Sequence, residues 1–334
     1  RKCSASLLDV NMASRVSHTV LLSLFFFFFF FPAWAQLNPN YYDHVCPQAL
    51  PAIRRIVYQT VAGEPRMGAS LIRLHFHDCF ANGCDGSVLL DDTPTFTGEK
   101  TAKPNNNSLR GFDVIDRIKT AVNAACFGNV VSCADIVAVA ARDSVVALGG
   151  CSYAVQLGRR DSTTASRDVA TNNIPSPSSN MSTLLSRFQS QGLSLKDLVV
   201  LSGAHTVGMA QCRFFRNRVY NETSTIDGSF AAAARQGCPS SGGDRNLSPL
   251  DATTARFDVL YFQGLQQKRG LLHSDQELFK GDGGEADQRV RYYGENPDAF
   301  WEDFAVSMLR MGNITPLTGA QGQIRANCRK VNSS

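Results

Sequence analysis

Arg73-Leu74-His75-Phe76-His77-Asp78-Cys79-Phe80 is the most chemically committed run in the chain, and its reading decides the rest. At helical spacing Arg73 and His77 lie one turn apart on one face, so a fixed cation and a titratable base address the same point. A polar stripe on a surface helix would look the same, and two histidines so close together can hold a metal. An i, i+2 pair diverges on a helix, however, and chelates poorly. The run therefore gains its meaning from what accompanies it.

On either side the pattern is helical. Ile53, Ile56, Val57 and Val61 recur at helical spacing, as do Val114, Ile115, Ile118 and Val122. Ser132 followed by Asp135 and then Ile136, Val137, Val139 and Ala140 predicts a capped, buried helix stopped by Gly149-Gly150. Ser182 to Gln191 before Gly192, Ser194 to Leu201 before Gly203, Phe257 to Gln267 before Gly270, and Pro297 to Met311 before Gly312 repeat the cap, the periodic run and the glycine stop. The fold is mainly α with at most very short strands, Tyr153 to Leu157 being the best candidate. Ile174 to Ser182 and Pro239 to Asn246 read as loops. A core of this size often divides into two lobes, and the first loop is where the crossover is expected.

The chain has 334 residues, 43% hydrophobic and 19% charged, the balance of a folded domain. A formal net charge of +4 without any Lys/Arg-rich run argues against nucleic acid and membrane surfaces as partners. Val20 to Phe31 is an apolar run with Arg15 before it and Ala33-Trp34-Ala35 after it, the pattern of a secretory signal. It is shorter than the roughly 20 residues a membrane span needs. Residues 1–11 read as upstream readthrough, 12–35 as the signal and 36–334 as one domain, with a distal lobe over about 36–174 and a proximal lobe over about 175–334.

Ten cysteines in an exported chain imply disulfides, and removing Cys3 with the signal leaves an odd nine. Sequons at Asn106, Asn180, Asn221, Asn246, Asn313 and Asn332 fit the same compartment, with Pro316 weakening the fifth.

Two further segments complete the set. Leu198-Val199-Val200-Leu201-Ser202-Gly203-Ala204-His205-Thr206-Val207-Gly208 sets a lone histidine after an apolar run, among small residues that would let a flat cofactor approach. Gly270-Leu271-Leu272-His273-Ser274-Asp275-Gln276-Glu277 offers an acid able to orient such a ligand. A histidine after a helix is more often structural, but the three segments together resemble the distal, proximal and acid motifs of the class III secretory plant peroxidases. The likeness runs from Gln36-Leu37 through Gly208, over Gly312-Asn313-Ile314-Thr315-Pro316-Leu317, and at Asn327-Cys328.

The resemblance implies a haem-peroxidase fold with haem b between the distal and proximal lobes. It implies oxidation of phenolic donors, two per hydrogen peroxide, by one-electron steps that leave two phenolic radicals and two waters. His205 matches the iron ligand and Asp275 the carboxylate behind it. His77 matches the acid-base residue, Arg73 the charge stabiliser, Asn105 the amide orienting His77, and Phe76 the shield of the distal face. His75 would be structural. Two Ca2+ are implied, the distal one at Asp78, Asp85 and Ser87 with carbonyls of Ala81 and Gly83, and Glu99 through water. The proximal one is implied at Thr206, Asp251, Thr254 and Asp258.

Pro175 matches the donor contact at the haem edge, with Phe214 nearby. The implied disulfides are Cys46–Cys126, Cys79–Cys84, Cys133–Cys328 and Cys212–Cys238. Cys151 is then left over and is expected as a free thiol. The proximal calcium motif, Asp251-Ala252-Thr253-Thr254-Ala255-Arg256-Phe257-Asp258, is one residue shorter than the family pattern and lacks its proline, so fewer protein ligands are expected there. A secreted monomer of the extracellular space or cell wall is expected.

Two other functions compete. A disulfide-rich binding protein on the same fold would need none of Arg73, His77, Asn105, His205 and Asp275. A Ser/His/Asp hydrolase would show Gly-x-Ser-x-Gly, which is absent.

Overall fold

The computed structural model describes residues 37–333, so the predicted signal lies outside the described residues. The first group of helices is α1 (Ala49–Gly63), α2 (Pro65–Ala81), α3 (Phe112–Ala125), α4 (Cys133–Ala147) and α5 (Arg167–Asn173). After the loop at Ile174 come α6 (Met181–Ser190), α7 (Leu195–Ser202), α8 (Cys212–Asn221), α9 (Gly228–Gly237), α10 (Leu260–Gln266), α11 (His273–Gln276), α12 (Glu285–Glu295) and α13 (Pro297–Gly312). Strands β1 (Met209–Gln211) and β2 (Leu247–Pro249) pair antiparallel. Tyr153 to Leu157 is not a strand. Among the described residues it makes one isolated bridge, Leu157 to Asn38.

Local chemistry explains the main elements. Pro65, at the first helical position of α2, needs no amide partner there. The Ser132 hydroxyl accepts the Asp135 amide at 3.1 Å and starts α4, whose small and β-branched residues are buried all round. α7 opens on a reciprocal capping box between Ser194 and Asp197. The apolar faces of α1, α2 and α4 join those of α7, α10, α12 and α13 in one continuous core. A smaller core around Cys212, Phe215, Val219, Cys238 and Leu271 lies beneath α8 and α9.

The C-terminal segment is fastened to the first helices. Disulfides join Cys133 to Cys328, Cys46 to Cys126, Cys79 to Cys84 and Cys212 to Cys238. The buried Asp161 carboxylate accepts the amides of Ala134 and Arg325, each at 2.8 Å, and so clamps the start of α4 to the returning chain. The expectation of a free thiol at Cys151 is not met: it is disulfide-bonded, and no cysteine is free among the described residues.

Candidate active site

α2 presents Arg73, Phe76 and His77 to a cleft whose other wall carries Ala204, His205 and Val207, just after α7. The two walls approach closely where the chain leaves His205: Gly208 has φ +99°, and a Cβ there would lie 2.9 Å from Cβ of Ala69 on α2. Ile72, Leu198, Leu201 and Met308 add apolar lining, and Pro175, Pro177 and Phe214 line the same cleft.

Each histidine is held by a hydrogen bond at Nδ1. His77 Nδ1 lies 2.5 Å from Asn105 Oδ1, and Asn105 Nδ2 donates to the Glu99 carbonyl at 2.9 Å. The second bond fixes which way the amide points, so Oδ1 must accept and Nδ1 must carry the proton. Burial, and then the nearby Arg73 charge, holds the His77 pKa well below that of an ordinary histidine. Nε2 is thereby a neutral base. Arg73 is anchored by the carbonyls of Pro104 and Ser108, both at 3.0 Å, and by the Ser108 hydroxyl at 3.1 Å. Burial lowers its pKa to about 10, which still leaves it charged at neutral pH.

On the other wall His205 Nδ1 lies 2.7 Å from Asp275 Oδ1, which leaves Nε2 as the nitrogen able to bind a metal. Tyr261, which the sequence reading does not name, donates its hydroxyl to the same Oδ1 at 3.1 Å. Phe76 stands edge-on to His77 with ring centroids 5.5 Å apart. His75 faces away from this cleft and contacts Cys79 Sγ at 3.6 Å; burial and then Arg159 bring its pKa down to about 3. His75, Cys79 and Cys84 cluster like metal ligands, but both sulfurs are spent in a disulfide.

Carboxylates gather on both sides. Asp78, Asp85 and Glu99 are buried, and burial above all raises their pKa values, that of Glu99 to about 8; the Asp85 charge adds to the rise at Asp78 and Glu99, and Asp161 to that at Asp85. Ser87 Oγ and Glu99 Oε2 are buried with no hydrogen-bond partner. Oxygens in such surplus over donors suit a hard cation. Gly83, at φ +120°, packs against Thr315, and its carbonyl accepts the Asp85 amide at 2.9 Å; the Ala81 carbonyl accepts from Asn173 at 3.2 Å.

In the second cluster the Thr206 hydroxyl lies 2.9 Å from Asp251 and 3.1 Å from Asp258, with one proton to share between two carboxylates. Thr253, not Thr254, donates its hydroxyl to Asp258, at 2.9 Å, while the Thr254 carbonyl accepts the Gly208 amide at 2.9 Å.

The residues fit an iron porphyrin: an imidazole backed by a buried carboxylate can ligate iron, and apolar side chains line the cleft beside it. Comparison with known proteins agrees. The family model described as Peroxidase matches residues 53–296. The chain is 61% identical over 302 residues to Peroxidase RIP1 of Medicago truncatula, covering 90% of this chain and 93% of the relative. It is 56% identical to Peroxidase 4 of Vitis vinifera, covering 89% of this chain and 92% of the relative. Peroxidase P7 of Brassica rapa is 55% identical and is covered over its whole length, as is 89% of this chain.

Proposed function

The chain belongs to the class III plant peroxidases, enzymes that oxidise substrates with hydrogen peroxide, and from that premise we propose that the cleft between His77 and His205 binds haem b and oxidises phenolic donors one electron at a time. The family implies haem and calcium in general. The observation that carries the finer reading is the pair of imidazoles on two walls of one cleft, each with Nδ1 engaged and Nε2 left to face inward.

His205 Nε2 would hold the haem iron, and the haem would supply the redox chemistry, two electrons for peroxide regained singly from donors. The protein supplies the proton handling. His77 Nε2 takes a proton from the near peroxide oxygen and returns it to the departing one, which leaves as water. Asn105 keeps the other ring nitrogen protonated, so the base is always the nitrogen that faces the cleft. The Arg73 charge stabilises negative charge on the oxygen as the O–O bond lengthens. Asp275 draws on the His205 N–H and makes the opposite nitrogen more electron-donating, which favours oxidised iron. Pro175 and Phe214 offer an apolar edge where an aromatic donor can rest.

Asp78, Asp85, Ser87, the Ala81 and Gly83 carbonyls and, through water, Glu99 would hold one Ca2+. Thr206, Asp251, Thr254 and Asp258 would hold a second, with Thr253 competing for Asp258. The shortened loop supports a smaller set of protein ligands at this second site. The chain is read as a secreted monomer whose distal lobe ends near residue 174; no helix among the described residues is long and apolar enough to cross a membrane.

Replacing His77 by alanine tests the proposal. The Soret band should persist, while stopped-flow reaction with peroxide should slow by about 100- to 10,000-fold. A wild-type rate would remove His77 from its role.

A further inference from the structure

The last turn of α12 carries two adjacent tyrosines with opposite surroundings. Tyr292 is 52% exposed and is not among the residues lining the cleft, whereas Tyr293 is buried. Their ring centroids are 5.5 Å apart. Tyr293 lies 5.5 Å from Phe262, Phe262 lies 5.3 Å from Tyr261, and Tyr261 stands edge-on to His205 at 6.1 Å. A continuous file of aromatic rings therefore connects solvent with the imidazole read as the iron ligand.

Core packing accounts for Phe262, but not for the phenols at the other positions. A phenol gives up an electron readily only if its proton can leave with it. Within the core that requires a base at hydrogen-bond distance, and both buried tyrosines have one: Tyr293 donates to Asp303 Oδ2 at 2.8 Å and Tyr261 to Asp275 Oδ1 at 3.1 Å. Phenylalanine would fill either place, since Asp303 also pairs with Lys196 and Asp275 with His205. At Tyr292, solvent takes the proton. Arg291, next to Tyr292, stacks its guanidinium on Phe279 and so holds a positive charge close to this surface.

We propose that Tyr292 is a second site of donor oxidation, serving phenols carried on molecules too large to enter the cleft. The inference rests on His205 as the iron ligand. An oxidising equivalent created by peroxide reduction draws one electron from Tyr292 through Tyr293 and Tyr261, and the Tyr292 proton passes to solvent. The neutral tyrosyl radical then takes a hydrogen atom, one electron and one proton, from the external phenol and is restored. Two such cycles follow each peroxide and release two phenoxyl radicals; one water leaves when the O–O bond breaks, and the two electrons and two protons from the donors complete the second. The adjacent cation favours electron-rich or anionic phenolic polymers.

The test holds the donor chemistry constant and changes only its size. Free tyramine and tyramine coupled densely to high-molecular-weight dextran are each oxidised with peroxide by the holoenzyme and followed by dityramine fluorescence. Tyr292→Phe should lower oxidation of the polymer by at least about tenfold while leaving free tyramine within about twofold. Tyr293→Phe, which interrupts the file behind an intact Tyr292, should reproduce that selective loss. In the donor-free reaction with a nitroso spin trap, peptide mass mapping should place an adduct on Tyr292 and lose it in both variants. Unchanged polymer oxidation in the two variants, or equal loss of both donors with the Soret band intact, overturns the proposal. A wild-type enzyme without a Soret band or tyramine oxidation would instead indict the assignment of the cleft.

Discussion

Asn105→Val removes one acceptor and leaves the rest of the cleft in place. In the native protein the buried His77 Nδ1–H is satisfied by Asn105 Oδ1 at 2.5 Å. Valine leaves that N–H unsatisfied, at a cost of about 1–3 kcal/mol. The ring escapes the cost by moving its proton to Nε2, the very atom that must act as base. The active tautomer is depleted accordingly, and 1–3 kcal/mol corresponds to about a 5- to 150-fold slower reaction with peroxide. That is less than the loss expected on deleting the imidazole.

The direction of the pH effect separates this from general damage. The bond to Asn105 raises the His77 pKa against the opposing effects of burial and Arg73, so its loss lowers the pKa further. The acid limb of the rate should move to lower pH even as the plateau falls. Stopped-flow decay of the resting Soret band across the pH range reads both quantities. A rate within about twofold of wild type, or an acid limb moved upward, would refute the reasoning.

Two other outcomes follow from the geometry. Asp251→Asn should leave a single tightly held Ca2+ per chain, counted by elemental analysis after limited chelation, with the wild type losing its proximal ion before its distal one; simultaneous loss would contradict the weaker second site. His75 is neutral in the folded chain down to about pH 3 but titrates near 6.5 once unfolded, so the unfolded state binds the extra proton and stability falls as pH drops below 6.5. Between pH 7 and 5 this one group costs about 2 kcal/mol, from about 1.4 kcal/mol per pH unit. His75→Gln should remove that increment, measured by urea unfolding at the two pH values, and an unchanged difference between them would falsify the account of His75.

Much of this was legible in the sequence because the chemistry sits on regular elements. Arg73 and His77 are one helical turn apart, the serine-capped runs of α4 and α7 announce themselves by periodicity, and α13 opens on Pro297. What was hidden depends on contacts between segments distant in sequence. Tyr261 meets Asp275 only because α10 packs beside α11, and nothing in Leu260-Tyr261-Phe262 signals an acceptor. That Thr253 rather than Thr254 donates to Asp258 depends on the path of an irregular loop, which no periodicity in Asp251 to Asp258 announces. β1 and β2 are three residues each, too short for alternation to show. α8 and α12 are polar over most of their surface, and α9 is built around a run of alanines, so none shows a strong apolar stripe. Cys151, expected as a free thiol, is disulfide-bonded, and spacing alone does not give disulfide connectivity.

The central claim is that His205 Nε2 holds the haem iron, and the absorption spectrum of His205→Ala tests it most directly. Purified wild-type protein should show a Soret band that changes on adding peroxide. The variant should fold with the same far-ultraviolet circular dichroism yet show a lost or disordered Soret band. A variant with the wild-type Soret band and the wild-type response to peroxide would contradict the account.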